Sequence, residues 1–335
     1  MKILKPTEQK FLEQLFQLNQ ENLLKVMERF LKAKYKEVHS TNDYIIAVGD
    51  IPIGLVAHLD TVFPEPPTEI FYDKDKNVMW GNNGLGADDR AGIYAIVQLI
   101  KRGLRPTVIL TTDEEKGAIG AYKVISELYK PLTDLKYIIQ LDRRNSVDCV
   151  FYDCDNPEFE EYVESFGFVT AFGTFSDISV ICPIWRIAGV NLSIGYIDEH
   201  SYMERLYIGH MLATIDKVEK MLRDANNANE FKYIAKKRFG KYSVAYGDEL
   251  YGSYWYEDEG MCQCGKCGIH LFSYDMFPTK GLDGNYVNLC PDCISDMDYL
   301  KWCMSCGSPF ITIEDEDICK DCLKKEDING NKGTV

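Results

Sequence analysis

The chain has 335 residues, with 37 Lys and Arg against 52 Asp and Glu and a formal net charge of −15. That length allows one large α/β domain with an appendage, and that charge disfavours nucleic-acid binding by the whole surface. No apolar run reaches the length of a transmembrane helix. The start, MKILKPTEQKF, lacks an apolar stretch and a small-residue cleavage site, so the chain reads as soluble and cytosolic.

From Thr7 to about Tyr35, apolar residues at helical spacing are broken by Asn19 and Asn22, which predicts one long or two short amphipathic helices. Tyr44–Val48 reads as a strand and Asp50–Pro52 as a turn. Ile53–Ala57 is a second strand, running directly into His58-Leu59-Asp60. Residues i and i+2 of an extended segment face the same side, so Asp60 can hold the His58 ring and raise its basicity.

A hairpin is expected around Asp73–Asn77, followed by GNNGLGADDRAG over Gly81–Gly92. This is not a dinucleotide loop, because no Gly-x-Gly-x-x-Gly follows a buried strand. A helix runs instead from Arg90 to about Lys101, with Gly103 as its stop. One of Asp88 and Asp89 caps it, leaving the other free for chemistry.

Thr107–Gly117, TVILTTDEEKG, is a buried β-branched strand that stops at three consecutive acids. Adjacent carboxylates repel one another, so a cation is expected there. A helix follows over Gly117–Leu128, and then the strand YIIQL ends in Asp142-Arg143-Arg144. Further elements are a strand at Val147–Tyr152, helices at Pro157–Phe166 and Ser176–Pro183, a strand at Val190–Tyr196 and an amphipathic helix over Ser201–Leu222 that contains His210.

Buried strands thus end at His58, at Glu114 and Glu115, at Asp142 and near His200, with Asp88 at a helix start. Strand–helix alternation implies a mostly parallel mixed sheet flanked by helices, and its strand carboxyl ends share one edge. Nitrogen and oxygen donors suit zinc first and manganese or cobalt second. Five ligands exceed one tetrahedral site and match two metals about 3.5–4 Å apart with a bridging carboxylate.

HLD, GADDRAG, TTDEEKGAIGA, QLD and the late His200 resemble the ordered motifs of the co-catalytic dizinc peptidases, over about residues 53–222. That group includes leucyl-type aminopeptidases, tripeptidase T and carboxypeptidase/deacylase relatives. The resemblance implies that His58 and Asp142 bind one zinc, that Glu115 and His200 bind the other, and that Asp88 bridges them. It further implies that Asp60 orients His58 and that Glu114 is the general base. The activity implied is hydrolysis of a peptide or N-acyl amino acid, by an exopeptidase of aminopeptidase type or by a deacylase. Only 57 residues separate Asp142 from His200, too few for the inserted lid domain of some relatives. Ser176-Asp177 resembles a motif that many relatives continue with His, where Ile178 stands here. Asp177, Arg143 and Arg144 are candidate substrate contacts, the arginines for a carboxylate or simply as surface counter-charges.

Nine of the twelve cysteines follow residue 261. Cys264 with Cys267, Cys290 with Cys293, Cys303 with Cys306 and Cys319 with Cys322 form four Cys-x-x-Cys pairs, enough thiolates for two structural zinc ions. Sequential pairing gives two zinc ribbons and cross-brace pairing is the alternative, with Cys262 and His270 as spare ligands. The tail is acidic, which disfavours phosphate-backbone binding and favours a protein partner. The expected division is a catalytic domain over 1–225, a connector over 226–260, the zinc-ribbon sites over 261–325 and a disordered tail over 326–335. The reading from a different class is a catalytically inactive zinc-ribbon scaffold. About four zinc ions per chain fit the enzyme and about two fit the scaffold.

Overall fold

The strands of the centre form where apolar, β-branched runs are buried on both faces. In chain order the strands within residues 3–236 are β1 (Glu37–Ser40), β2 (Tyr44–Val48), β3 (Ile51–His58), β4 (Ile70–Asp73), β5 (Val78–Gly81), β6 (Pro106–Thr111), β7 (Tyr137–Arg143), β8 (Asp148–Val150), β9 (Val169–Thr170), β10 (Gly189–Ser193), β11 (Tyr196–Ile197) and β12 (Arg205–Tyr207). The helices are α1 (Pro6–Phe16), α2 (Gln20–Lys32), α3 (Ala87–Lys101), α4 (Ile119–Val124), α5 (Pro157–Glu164), α6 (Asp177–Trp185) and α7 (Ile208–Arg223). This computed structural model describes residues 3–125, 132, 134–173 and 175–236, and six short strands between 261 and 311.

Eight strands pair in the order β1-β2-β6-β3-β7-β10-β8-β9. The central four, β6-β3-β7-β10, are parallel, and β2 and β8 flank them antiparallel. Alternate residues serve opposite faces. Leu55 and Ala57 of β3, Val108 and Leu110 of β6, and Ile139 and Leu141 of β7 join the core with α1, α2, α3 and α7. Val56, Ile109 and Ile138, equally buried, alternate with them on the face covered by α4 and α6. Strands β8, β9 and β10 lie in the segment between Asp142 and His200, so that segment extends the sheet instead of forming a lid. A second, antiparallel sheet runs β11-β12-β5-β4.

The N-terminal helical stretch divides in two, with Asn19 capping α2 through its side chain. The expected helix over Ser201–Leu222 starts only at Ile208, because Arg205–Tyr207 pairs antiparallel with Val78–Trp80 as β12. Met203, Leu206 and Tyr207 fit helical spacing, yet ladder hydrogen bonds and the burial of Leu206 take the segment into the second sheet.

The chain forms two compact units, Met1–Gly240 and Lys241–Val335. The first unit reaches past residue 225. Phe231 is buried against Tyr137, Phe159 and Tyr162, and its amide donates to the carbonyl of Lys136. Residues 226–236 therefore belong to the core domain, because an aromatic cluster holds them there.

In the second unit, Met261–Gln263 pairs antiparallel with His270–Phe272, setting Cys262 opposite Leu271 and Gln263 opposite His270. Phe277–Lys280, Tyr286–Leu289, Leu300–Trp302 and Pro309–Ile311 form a four-stranded sheet. The cysteines expected to hold structural zinc, Cys264, Cys267, Cys290, Cys293, Cys303, Cys306, Cys319 and Cys322, lie outside the described residues. So do residues 326–335. Among the described residues, no helix is long and apolar enough to cross a membrane.

Candidate active site

Parallel register brings the strand ends level. His58 ends β3 opposite Thr111, the last residue of β6. Val56 lies opposite Gln140, so two residues on, His58 and Asp142 leave neighbouring strands at the same height. Asp113–Glu115 follow β6 after one residue, Thr112, and a 3₁₀ turn over Glu114–Lys116 carries two of these acids at the same edge. Gly86 has φ +72°, which suits glycine, and it delivers Asp88 from the start of α3.

Five side chains meet at this edge. His58 Nε2 lies 3.0 Å from Asp88 Oδ1 and 3.5 Å from Asp142 Oδ1. The other Asp88 oxygen, Oδ2, lies 3.2 Å from His200 Nε2, which is itself 3.1 Å from Glu115 Oε1. Asp88 thus stands between two groups of donors, one with His58 and Asp142 and the other with Glu115 and His200, each group within 4.8 Å. Donor atoms of Glu114, His58 and Glu115 also lie within 4.8 Å of one another.

The supporting contacts explain the arrangement. Asp60 Oδ1 lies 3.2 Å from His58 Nδ1, and the Asp60 carboxylate also accepts from the amides of Glu114 and Glu115, both at 3.0 Å. One acid therefore fixes both the imidazole and the turn carrying two further candidates. Asp89 is the capping acid of the pair. Its Oδ1 accepts from Gly92 N at 2.9 Å and its Oδ2 from His58 N at 3.3 Å, which leaves Asp88 for the cluster. Asp142 accepts from Tyr196 OH (3.0 Å), Ser176 Oγ (3.0 Å) and Gln140 Nε2 (3.1 Å), and Asn191 bonds its backbone on both sides.

Charge is concentrated and poorly solvated here. Burial raises Glu114 to about 9 against His58, with Asp142, Asp177 and Asp88 adding to the rise. Burial and Asp142 likewise raise Asp88 to about 6. Burial also works against Asp60 and Asp142, yet His58 and their hydrogen-bond donors hold Asp142 below the usual range and Asp60 at about 2. Burial alone would depress His58, but Asp142, Asp60 and Asp88 push it well above its ordinary value. Asp88 and Glu115 carry His200 to about 11. A set of carboxylates and imidazoles in mutual contact, buried except for the half-exposed His200, has the donor chemistry that suits a divalent cation. The buried Glu115 Oε1 makes no hydrogen bond to any described residue despite its closeness to His200, so its lone pairs remain available to a cation.

The three substrate-contact candidates each have partners within the protein. Asp177 is fully buried at the start of α6, where its Oδ2 accepts from Thr111 Oγ1 at 2.5 Å. Burial raises it to about 7. It underlies the cluster and presents no surface to a substrate. Arg143 donates to the carbonyl of Phe172, and Arg144 pairs with Glu199 at 2.9 Å while half-exposed. His210 stacks on Tyr207 in α7.

Two residues escaped the sequence reading. Arg90 is buried and donates to the carbonyls of Leu59, Asp60 and Leu18, tying the α1–α2 junction to the His58–Asp60 segment. Glu204 is fully buried and accepts from the amides of Gly86, Ala87 and Asp88 at 2.5, 3.1 and 3.1 Å. Adjacency of Arg90 to the Asp pair was the only signal for the first; a lone acid within a helix-like pattern gave none for the second.

No protein-family model matches the chain, and no curated protein matches it in sequence. Solved structures do. A tripeptidase from Staphylococcus aureus superposes with a TM-score of 0.54 at 14% identity, covering 67% of this chain and 99% of that one. Aminopeptidase PepT from Bacillus cereus gives 0.53 at 14%, with the same coverage. A TET aminopeptidase from a marine sediment archaeon of the Thaumarchaeota gives 0.53 at 13%, again covering 67% and 99%. What this chain shares with these peptidases is the fold: a mainly parallel central sheet flanked by helices.

Proposed function

We propose that the protein is a metal-dependent exopeptidase that cleaves a terminal peptide bond with water activated at a two-cation centre, zinc being the first candidate metal. The observation that carries this reading is Asp88, whose two oxygens face His58 and His200 separately at 3.0 and 3.2 Å. His58 and Asp142 would hold one cation, Glu115 and His200 the other, and Asp88 both. Such a pair supplies a water acidified toward neutral pH and a polarised scissile carbonyl.

The chain's own groups do the rest. Glu114 sits beside the cluster, its donor atom within 4.8 Å of those of His58 and Glu115, where a carboxylate can take a proton from the attacking water and return it to the departing amine. Asp60 keeps His58 Nε2 facing inward by holding Nδ1, and it fixes the Glu114–Glu115 turn. Seryl or cysteinyl attack is not required. The fold shared with a tripeptidase and two aminopeptidases supports the amino-terminal direction.

A panel of free, N-blocked and C-blocked di- and tripeptides, assayed with and without chelator, tests this. Free peptides should be cleaved, N-blocked ones should not, and chelator should abolish turnover until zinc is restored. Cleavage of only N-acyl amino acids would move the assignment to a deacylase. Chelator-insensitive cleavage would overturn the metal-dependent reading, and no cleavage with any metal would overturn the hydrolytic one in favour of a scaffold role.

A further inference from the structure

His200 reaches the cluster from a segment with little regular structure of its own. It lies between β11 and β12, and both Asp198 and His200 have positive φ (+57° and +60°), a conformation that costs free energy for residues with a Cβ. Local bonds, Ser201 Oγ to the Asp198 carbonyl (2.7 Å) and Glu204 N to the Ser201 carbonyl (3.1 Å), shape this loop but do not attach it to anything else. At its exposed side Arg144 pairs with Glu199 at 2.9 Å and Phe63 stacks on Tyr202, and the buried attachment comes from Glu204, four residues after His200. Its carboxylate takes three successive amides, Gly86, Ala87 and Asp88, at the point where the chain turns into α3. Those amides precede the first regular turn of a helix and are orphan donors, which an anionic acceptor satisfies well.

We infer that Glu204 is a positioning residue for the second cation position: it clamps the His200 loop to the backbone that carries Asp88, and so sets the span between the Asp88, Glu115 and His200 donors. This inference rests on the two-cation reading above. The other position is held differently, since His58 and Asp142 leave adjacent paired strands and depend on the sheet for their separation. Loss of Glu204 therefore acts unequally on the two. The Glu204 carboxylate contacts backbone amides and is not itself among the candidate ligands.

The test is a cobalt titration of the full-length, zinc-depleted protein. Ligand-field absorption of nitrogen–oxygen sites is followed apart from the thiolate charge-transfer band of any cysteine site. Wild type should fill two nitrogen–oxygen positions. Glu204→Gln, which keeps the shape but loses the anionic acceptor, should weaken one of them by about 10–100-fold and leave the other nearly unchanged. His200→Ala should weaken the same one. Glu204→Asp, which keeps the charge on a shorter arm, provides the same comparison if the Gln variant does not fold, and far-UV circular dichroism checks folding in each. Two positions of unchanged affinity in the folded variant, or equal weakening of both, would overturn the positioning role. A wild type with no nitrogen–oxygen cobalt site would instead remove the two-cation reading beneath it.

Discussion

Glu114 has the most to reveal among single residues, because function and stability pull on it in opposite directions. As proton carrier, Glu114→Gln should lose about 10²–10⁴ in turnover while metal content stays at the wild-type level; near-normal turnover would remove it from that role. As a buried carboxyl raised from its ordinary 4.5 to about 9, it binds its proton more tightly folded than unfolded. Stability from this group is therefore greatest below pH 4.5 and is lost as the pH climbs towards 9. Asp60 runs the other way: its stabilisation is present above 3.8 and is lost as the pH falls towards 2. In chelator-treated protein, wild type should therefore lose more melting temperature than Glu114→Gln between about pH 5 and pH 9. Parallel melting curves would contradict this. Most of these residues were legible because each candidate closes an apolar run or opens a helix: HLD, TTDEE and QLD announce themselves by position. Glu204 and Arg90 were not, because each works through backbone groups brought near only by the fold.

At the scale of elements, the strands of the parallel centre were legible from β-branched runs, whereas boundaries set by pairing were not. Ser201–Tyr207 satisfies helical spacing, yet three residues of it form β12 because β5 offers an unpaired edge. β1 and β9 were equally silent, with one face or both exposed and no continuous apolar run. The close packing of α3 on β7 is a further element-scale feature. A Cβ on Gly92 would collide with the Leu141 carbonyl oxygen and with Asp89 Oδ1. The first is backbone and the second belongs to a carboxylate already bonded to Gly92 N and His58 N, so neither can yield freely. Gly92→Ala should destabilise the protein by about 1–3 kcal/mol, read as a lower midpoint in denaturant unfolding. An unchanged midpoint would show that α3 can move away from the sheet without penalty.

For the molecule as a whole, the two units follow different rules. The first gathers its chemistry at the carboxyl edge of a parallel sheet, the general location of ligand sites in open α/β folds. The second carries the Cys-x-x-Cys pairs, whose expected role as structural zinc ligands follows from spacing in the sequence. The central claim belongs to the first unit: segments distant in sequence converge on two cations around Asp88. Anomalous diffraction at the zinc edge, from crystals grown with zinc, tests it directly. Two peaks about 3.5–4 Å apart are expected, one bonded to His58 and Asp142, the other to Glu115 and His200, and both to Asp88. A single peak in that cleft, or a pair that Asp88 does not join, would contradict the account.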